Sequence, residues 1–401
     1  MEPNIERIRN IMTLRYDPRA PSDELPQIQP RDVSDGASDA RRNVEKRIKS
    51  NISDFISKNR PRRISLALSG GTDSILSLML TREEFPELKI QCVSFGFSRD
   101  DADVTTAAEM ARRYDADFEA CFLDNWLSTL PKQISIVGEP KTNYYWHTVA
   151  KKARKYSDVL VTGDGGDELF AGYTFRYRKY LESARQNDGW ERRAKLYLDC
   201  HNRDWVDDQD EMFGPTVNFS WKPIYGLLRR FFDNRLDPLQ QVLLADYHGK
   251  LLCDWLPSHA RIYSRLGLKP LTPFLSEDLV RYAFTVPLSQ KYDRASNVGK
   301  VILREILASR GCDLKPDKKG FTPDYGVFWT VHGRNFVMSM LSEKSRVIDC
   351  GLISGRWVSR ALSKVDADGD IRYMTRLLHV ASLEVWYRLF ISCDMDPSHT
   401  F

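Results

Sequence analysis

Between residues 60 and 172, short apolar runs alternate with helix-patterned stretches, and this alternation narrows the possible folds more than any other feature of the chain. The runs "RISLALSGG", "LKIQCVSFGF", "DFEACFL" and "DVLVTG" are dominated by apolar and β-branched residues. The stretches "SILSLML", "DVTTAAEMARRY" and "YYWHTVAKKARKY" fall between them with helical spacing. Strands separated by helices pair in parallel through crossovers rather than as hairpins. The expectation is therefore an α/β fold, a parallel twisted sheet with helices on both faces and ligand sites at the carboxyl ends of strands.

The flanking regions read differently. Residues 17–40 are rich in Pro, Asp and Ser without periodicity, so residues 1–39 are expected to form a mobile lead-in. From Asp39 onward, Val44, Ile48, Ile52, Phe55 and Ile56 recur at helical spacing and open a core unit expected over 40–175. Arg41, Arg42, Lys46, Arg47 and Lys49 lie on that helix's other face. A net charge of +4 over 401 residues is too small to argue for nucleic acid, so this face reads as solvated surface. After Tyr173 the pattern turns to long aromatic-rich helical stretches, and 176–401 is expected to be a mostly helical lobe. No run of about 18 apolar residues occurs and "MEPNIERIRN" lacks a signal-peptide pattern, so a cytoplasmic location without a membrane partner is expected. The seven cysteines form no C-x-x-C pair and read as reduced thiols.

Two glycine-rich motifs fall at predicted strand ends. The first is Ser69-Gly70-Gly71-Thr72-Asp73-Ser74, which follows Leu68 and opens a helix. Glycines clear the way for backbone N–H groups to meet a phosphate chain, the helix amino end favours negative charge, and the hydroxyls add donors. No lysine follows as a Walker loop requires, so transfer of a γ-phosphoryl group is not implied. The second motif, Gly163-Asp164-Gly165-Gly166-Asp167-Glu168, packs three carboxylates into six residues. Charges this dense repel unless a cation or donor groups compensate them, which points to ATP with magnesium. Leu68 to Ser74 with Gly163, Asp164, Gly165, Asp167 and Glu168 are the candidate ATP-binding residues, and Asp73 with Asp167 the candidate metal ligands.

On these residues the chain resembles the synthetase domain of the asparagine synthetase family, a branch of the PP-loop ATP pyrophosphatases with an adenine nucleotide alpha hydrolase-like fold. The first motif is similar to that family's SGGxDS loop and "TGDGGDELFAGY" to its second signature. "NVGKVILREI" resembles the stretch ending in Lys-x-x-Leu-Arg, here Lys300, Leu303 and Arg304, and "KPDKKGFTPDYG" resembles the lysine-and-phenylalanine loop. The resemblance extends to "PFLSEDLVRYAFTVP" and "RLLHVASLEVWYRLF". It implies that a carboxylate attacks the α-phosphorus of ATP, pyrophosphate leaves with magnesium, and an amine attacks the acyl-adenylate to give an amide and AMP. It also implies catalytic roles for Lys318, with Lys319 beside it as the alternative and Phe321 three residues on, and for Glu139, which would handle the incoming amine.

The resemblance breaks in two places. Glu2 stands where glutamine-using members carry a catalytic cysteine, and about 40 residues leave no room for their glutaminase domain. Ammonia, another amine or a separate ammonia-supplying glutaminase is then the expected nitrogen source. "LPSHARIYSRLGLKPLTPFLS" replaces the usual Lys-Val-Asp-Arg and Glu-x-Arg segments, with Lys269 and Pro270 near the usual Glu and Arg and Ser276 in place of Asp. The expected activity is amide synthesis on a small-molecule carboxylate, aspartate first. The alternatives are β-lactam-synthetase- or cyclase-like amidation of a specialised carboxylate and a non-catalytic ATP-binding regulatory subunit.

Overall fold

The computed structural model describes every residue except 1, 20, 143–144, 186, 202–204 and 315–323. Five parallel strands, β1 (Arg63–Ala67), β2 (Lys89–Gly96), β3 (Asp117–Phe122), β4 (Val159–Val161) and β5 (Lys269–Leu271), lie in the order β3-β2-β1-β4-β5. Four of these follow the apolar runs. β5 does not: it comes from the region expected to be helical, spans three residues and contains Pro270. Proline cannot donate to a ladder, and β5 sits at the sheet edge, where one side of its backbone needs no partner.

The two faces of the sheet are visible in alternate residues. Cys92, Val159 and Val161 belong to one apolar core, whereas Val93, Phe95 and Leu160 belong to a second. The helices divide in the same way. After α1 (Ile5–Leu14), helices α2 (Ala40–Asn59), α3 (Thr72–Glu84) and α4 (Ala102–Arg113) place Val44, Ile48, Ile75 and Ala107 in the first core. Helices α5 (Leu130–Val137) and α6 (Trp146–Ala153) place Ile134 and Val149 in the second. On the polar face of α2, Arg47 pairs with Asp278 and Lys49 with Glu45, Glu83 and Glu84.

Residues 2–19 and 21–39, expected to hold no packed element, include α1 and pack in part against both cores. Helix α1 buries Ile8 and Met12 in the second core, and Leu14, Tyr16 and Ile28 enter the first. The extended stretch beyond it is tied down by its backbone. Ser22 N donates to Leu252 O at 2.8 Å, Tyr247 Oη donates to Pro26 O at 2.8 Å and Ser34 N donates to Phe284 O at 3.0 Å. Periodicity is absent because these ties use the segment's own backbone groups and partners far along the chain. No helix among the described residues is long and apolar enough to cross a membrane.

Candidate active site

The strand order places β1 beside β4, the two strands on which the direction of winding reverses. In open α/β sheets ligands bind in the crevice beyond the carboxyl ends of such strands. Both glycine-rich motifs lie there, one following β1 and the other following β4. Sequence separation of about 90 residues between them is removed by a single parallel pairing, Ser65 with Leu160 and Leu66 with Val161.

The first loop is organised by its hydroxyls. Ser69 N donates to Ser74 Oγ at 3.1 Å, Gly71 N donates to Ser69 Oγ at 3.2 Å, and Leu68 N continues the sheet by donating to Val93 O at 3.0 Å. Gly71 caps α3, so Thr72, Asp73 and Ser74 form its first turn, the end that favours anions. In the second loop, two glycines permit close approach of the carboxylates. A Cβ on Gly166 would lie 2.3 Å from Asp73 Oδ1, and one on Gly172 would lie 1.8 Å from Asp167 Oδ1.

Asp73 and Asp167 converge on one cation, the ammonium of Lys300, whose Nζ is 2.5 Å from Asp73 Oδ2 and 2.5 Å from Asp167 Oδ1. A short hairpin, β6 (Tyr292–Asp293) with β7 (Val298–Gly299), delivers Lys300 to this position, and Lys300 N donates to Phe170 O at 2.9 Å. Lys300 holds a left-handed backbone at φ 57°, which costs a non-glycine residue roughly 1–2 kcal/mol and is typical of functional sites. Burial opposes its charge, but Asp167 and Asp73 outweigh burial and hold its pKa above the usual lysine value. Arg304, one turn on, donates from Nε to Gly299 O at 3.0 Å and from Nη1 to Leu314 O at 3.0 Å, anchoring the chain where it enters 315–323. Lys318, Lys319 and Phe321 lie outside the described residues.

Two hard carboxylate oxygens that share one cation suit magnesium, which takes few protein ligands and fills its shell with water and phosphate oxygens. Among the described residues no group of three or more His, Cys, Asp or Glu gathers for a metal. Glu168 is buried behind them and accepts from Tyr173 Oη at 2.6 Å. Burial first, and Asp167 next, push its carboxyl well above the usual range. Asp164 accepts from Thr162 Oγ1 at 2.9 Å and from His259 Nδ1 at 3.2 Å.

Glu139 is buried in an ion cluster. Its Oε1 meets Arg7 of α1 at 2.9 Å and Arg261 at 3.6 Å, its Oε2 meets Lys141 at 2.9 Å, and Lys141 also meets Asp254 at 2.5 Å. Burial would raise its pKa, but Lys141, Arg261 and Arg7 outweigh burial and hold it below the usual carboxylate range. A carboxylate held this way is a weak proton acceptor. Arg7, Lys141, Asp254 and His259 carried no sequence signal. Only the departure of "LPSHARIYSRLG" from the family pattern marked that region.

Ser276 Oγ accepts from Leu279 N at 3.2 Å and caps the helix Glu277–Ala283. Serine there does the capping work an aspartate also does. Lys269 lies exposed on β5, 3.2 Å from Asp158.

The family described as asparagine synthase matches this chain over residues 60–388. The chain is similar to a putative glutamine-hydrolyzing asparagine synthetase of Mycobacterium tuberculosis, 34% identical over 120 residues, which cover 28% of this chain and 18% of that protein. It is also similar to glutamine-hydrolyzing asparagine synthetase 1 of Bacillus subtilis, 33% identical over 120 residues with the same coverage. The matched stretch thus spans less than a fifth of these relatives' length. Among solved structures, the NH3-dependent NAD synthetase from Campylobacter jejuni, in complex with nitrate, matches 34% of this chain and 62% of its own at 16% identity and a TM-score of 0.27.

Proposed function

The chain belongs to the asparagine synthase family, and from that premise we propose that it is an ATP-dependent carbon–nitrogen ligase that forms an acyl-adenylate, releasing pyrophosphate, and passes the acyl group to an amine with release of AMP. The observation that carries this reading is the convergence of Asp73 and Asp167 on one cation at the reversal between β1 and β4, beside the glycine loop.

On this reading the first turn of α3 and the loop hydroxyls receive the phosphate chain. Asp73 and Asp167 would hold magnesium, which would supply charge neutralisation for the departing pyrophosphate. Lys300 and Arg304 add positive charge from the chain itself, preorganised before substrate arrives, as electrostatic stabilisation of a leaving group requires. Lys318 is proposed to complete this charge. Glu139, held as an anion, orients Lys141 and Arg261 and does not take up the amine's proton.

Aspartate is the first carboxylate to test. Amidation of another carboxylate remains the second reading, because Lys269 and Pro270, near the family's usual Glu and Arg, lie in or beside the ladder of an edge strand. The test is pyrophosphate release with ATP, magnesium and ammonium across a panel of carboxylates including aspartate. One carboxylate should give pyrophosphate and an amide in equal amounts, and Asp73→Asn and Asp167→Asn should abolish both. Release with no carboxylate, together with unaltered ATP binding in both variants, would overturn the reading in favour of a non-catalytic role.

A further inference from the structure

A small cavity beside the second motif is lined by Lys141, Trp146, Asp254, Ser258 and His259, among others. Its volume is about 10 Å³, room for about one molecule the size of water. Two of its lining residues bring polar atoms that are buried and have no hydrogen-bond partner among the described residues, His259 Nε2 and Ser258 Oγ. Both side chains are more than nine-tenths buried, His259 at 5% and Ser258 at 4% exposure. Leaving one such atom unsatisfied costs about 1–3 kcal/mol, so two on one cavity of this size mark a place for a small polar guest.

The other ring nitrogen of His259 is already committed. Nδ1 faces Asp164 Oδ2 at 3.2 Å. The same carboxylate oxygen accepts from Thr162 Oγ1 at 2.9 Å. An ionised carboxylate only accepts, so Nδ1 carries the hydrogen and Nε2 is left as the position that offers a lone pair. The ring plane is fixed by stacking on Trp146 at 5.0 Å and by Trp255 at 5.5 Å. Lys141, which also lines the cavity, is neutralised by Asp254 and Glu139.

A guest with one heavy atom that donates to both Nε2 and Ser258 Oγ is ammonia or water. We propose that this cavity binds ammonia, with His259 Nε2 and Ser258 Oγ both accepting from it so that the nitrogen lone pair stays free, as the amine station of the reaction proposed above, on which this inference rests. In that step the nitrogen lone pair forms the C–N bond to the acyl carbon. The bond from that carbon to the adenylate oxygen breaks, its electron pair leaving on AMP, and the surplus proton on nitrogen passes to His259 Nε2. Asp164 then holds the imidazolium, so one carboxylate ties the nucleotide loop to the amine.

The test uses the intact protein carrying His259→Ala, His259→Gln or Ser258→Ala. Two readouts share one carboxylate: carboxylate-dependent exchange of pyrophosphate into ATP, and amide formed as ammonium chloride is raised. In His259→Ala the KM for ammonium should rise about tenfold or more, the loss of a hydrogen bond to a buried partner, and amide formation should fall further than exchange. Ser258→Ala should raise the same KM, and His259→Gln, which keeps a polar atom, should recover part of it. Equal loss in both readouts would make His259 a support for Asp164 and overturn the proposal, as would unchanged saturation by ammonium. If wild type exchanges pyrophosphate with no carboxylate, the proposed function has failed, and the cavity is judged by binding alone. Nitrogen-15 resonances of labelled histidine are then followed with ammonium chloride against sodium chloride. A saturable shift at Nε2, absent in His259→Ala, supports the ammonia pocket; no shift means an ordered water only and overturns it.

Discussion

Lys300→Met removes the one charge that holds two carboxylates together while keeping a side chain of similar length. Because Lys300 Nζ is 2.5 Å from both Asp73 Oδ2 and Asp167 Oδ1, these oxygens cannot lie more than about 5 Å apart. At an effective dielectric of about 20 their repulsion at that separation is about 3 kcal/mol. Asp167 is 37% exposed, so solvent screens part of this, and a loss of about 2 kcal/mol is expected in urea unfolding near neutral pH. The lysine's folded pKa is raised above 10.5 by Asp167 and Asp73 against burial. Its stabilisation is therefore fully present below 10.5 and is lost only as pH rises through the higher folded value, so the loss should be the same at every pH between the carboxylate range and that point. Magnesium supplies a second check. A divalent cation between the same oxygens replaces the missing charge, so magnesium chloride should stabilise Lys300→Met more than wild type, where the lysine competes. A loss under about 0.5 kcal/mol, or the same magnesium effect in both proteins, would refute the view that these carboxylates form a cation site.

Gly166→Ala drives a methyl to 2.3 Å from Asp73 Oδ1 and should weaken magnesium-dependent ATP binding by calorimetry about tenfold or more, whereas Gly36→Ala, with nothing within 4 Å, should not. Glu384, fully buried, accepts from Ser345 Oγ at 2.9 Å, Arg346 N at 3.0 Å and Val347 N at 2.9 Å, so Glu384→Ala should cost about 3–5 kcal/mol of unfolding free energy by chemical denaturation. Lys291 is buried beneath Phe284, and burial pushes its pKa down to about 7 against the pull of Asp35. Above that value the unfolded chain still binds the proton that the folded one has released, so wild-type stability gains as pH rises toward 10.5. Lys291→Met should therefore be more stable than wild type by a few kcal/mol at mildly acid pH, with the advantage shrinking across that window; a pH-independent difference in urea midpoints would contradict this.

The parts of the site written in contiguous residues were legible. Glycine loops after apolar runs need only their neighbours to be recognised, and α3 begins at Thr72 as "SGGTDS" requires. Lys300 was visible as a motif residue, but its place between Asp73 and Asp167 was not, because that depends on a hairpin returning to Phe170. Ser276 was visible as a departure from the family's Asp, but its role as the cap of the helix Glu277–Ala283 shows only in the fold. The packing within the lead-in was not legible because part of it rests on single hydrogen bonds with the remote residues Leu252, Tyr247 and Phe284, which leave no periodic trace.

The chain's own order of residues determined the alternation of strands and helices and put a phosphate-suited loop after each of two strands, since periodicity and turn chemistry are local. Tertiary structure alone decided that β1 and β4 lie side by side, that β5 completes the edge, that Arg7 meets Glu139 and that Lys300 meets Asp73. Those pairings rest on burial and charge compensation between groups as much as 227 positions apart. Energies of that kind come into being only when the whole core closes, so no local pattern records them.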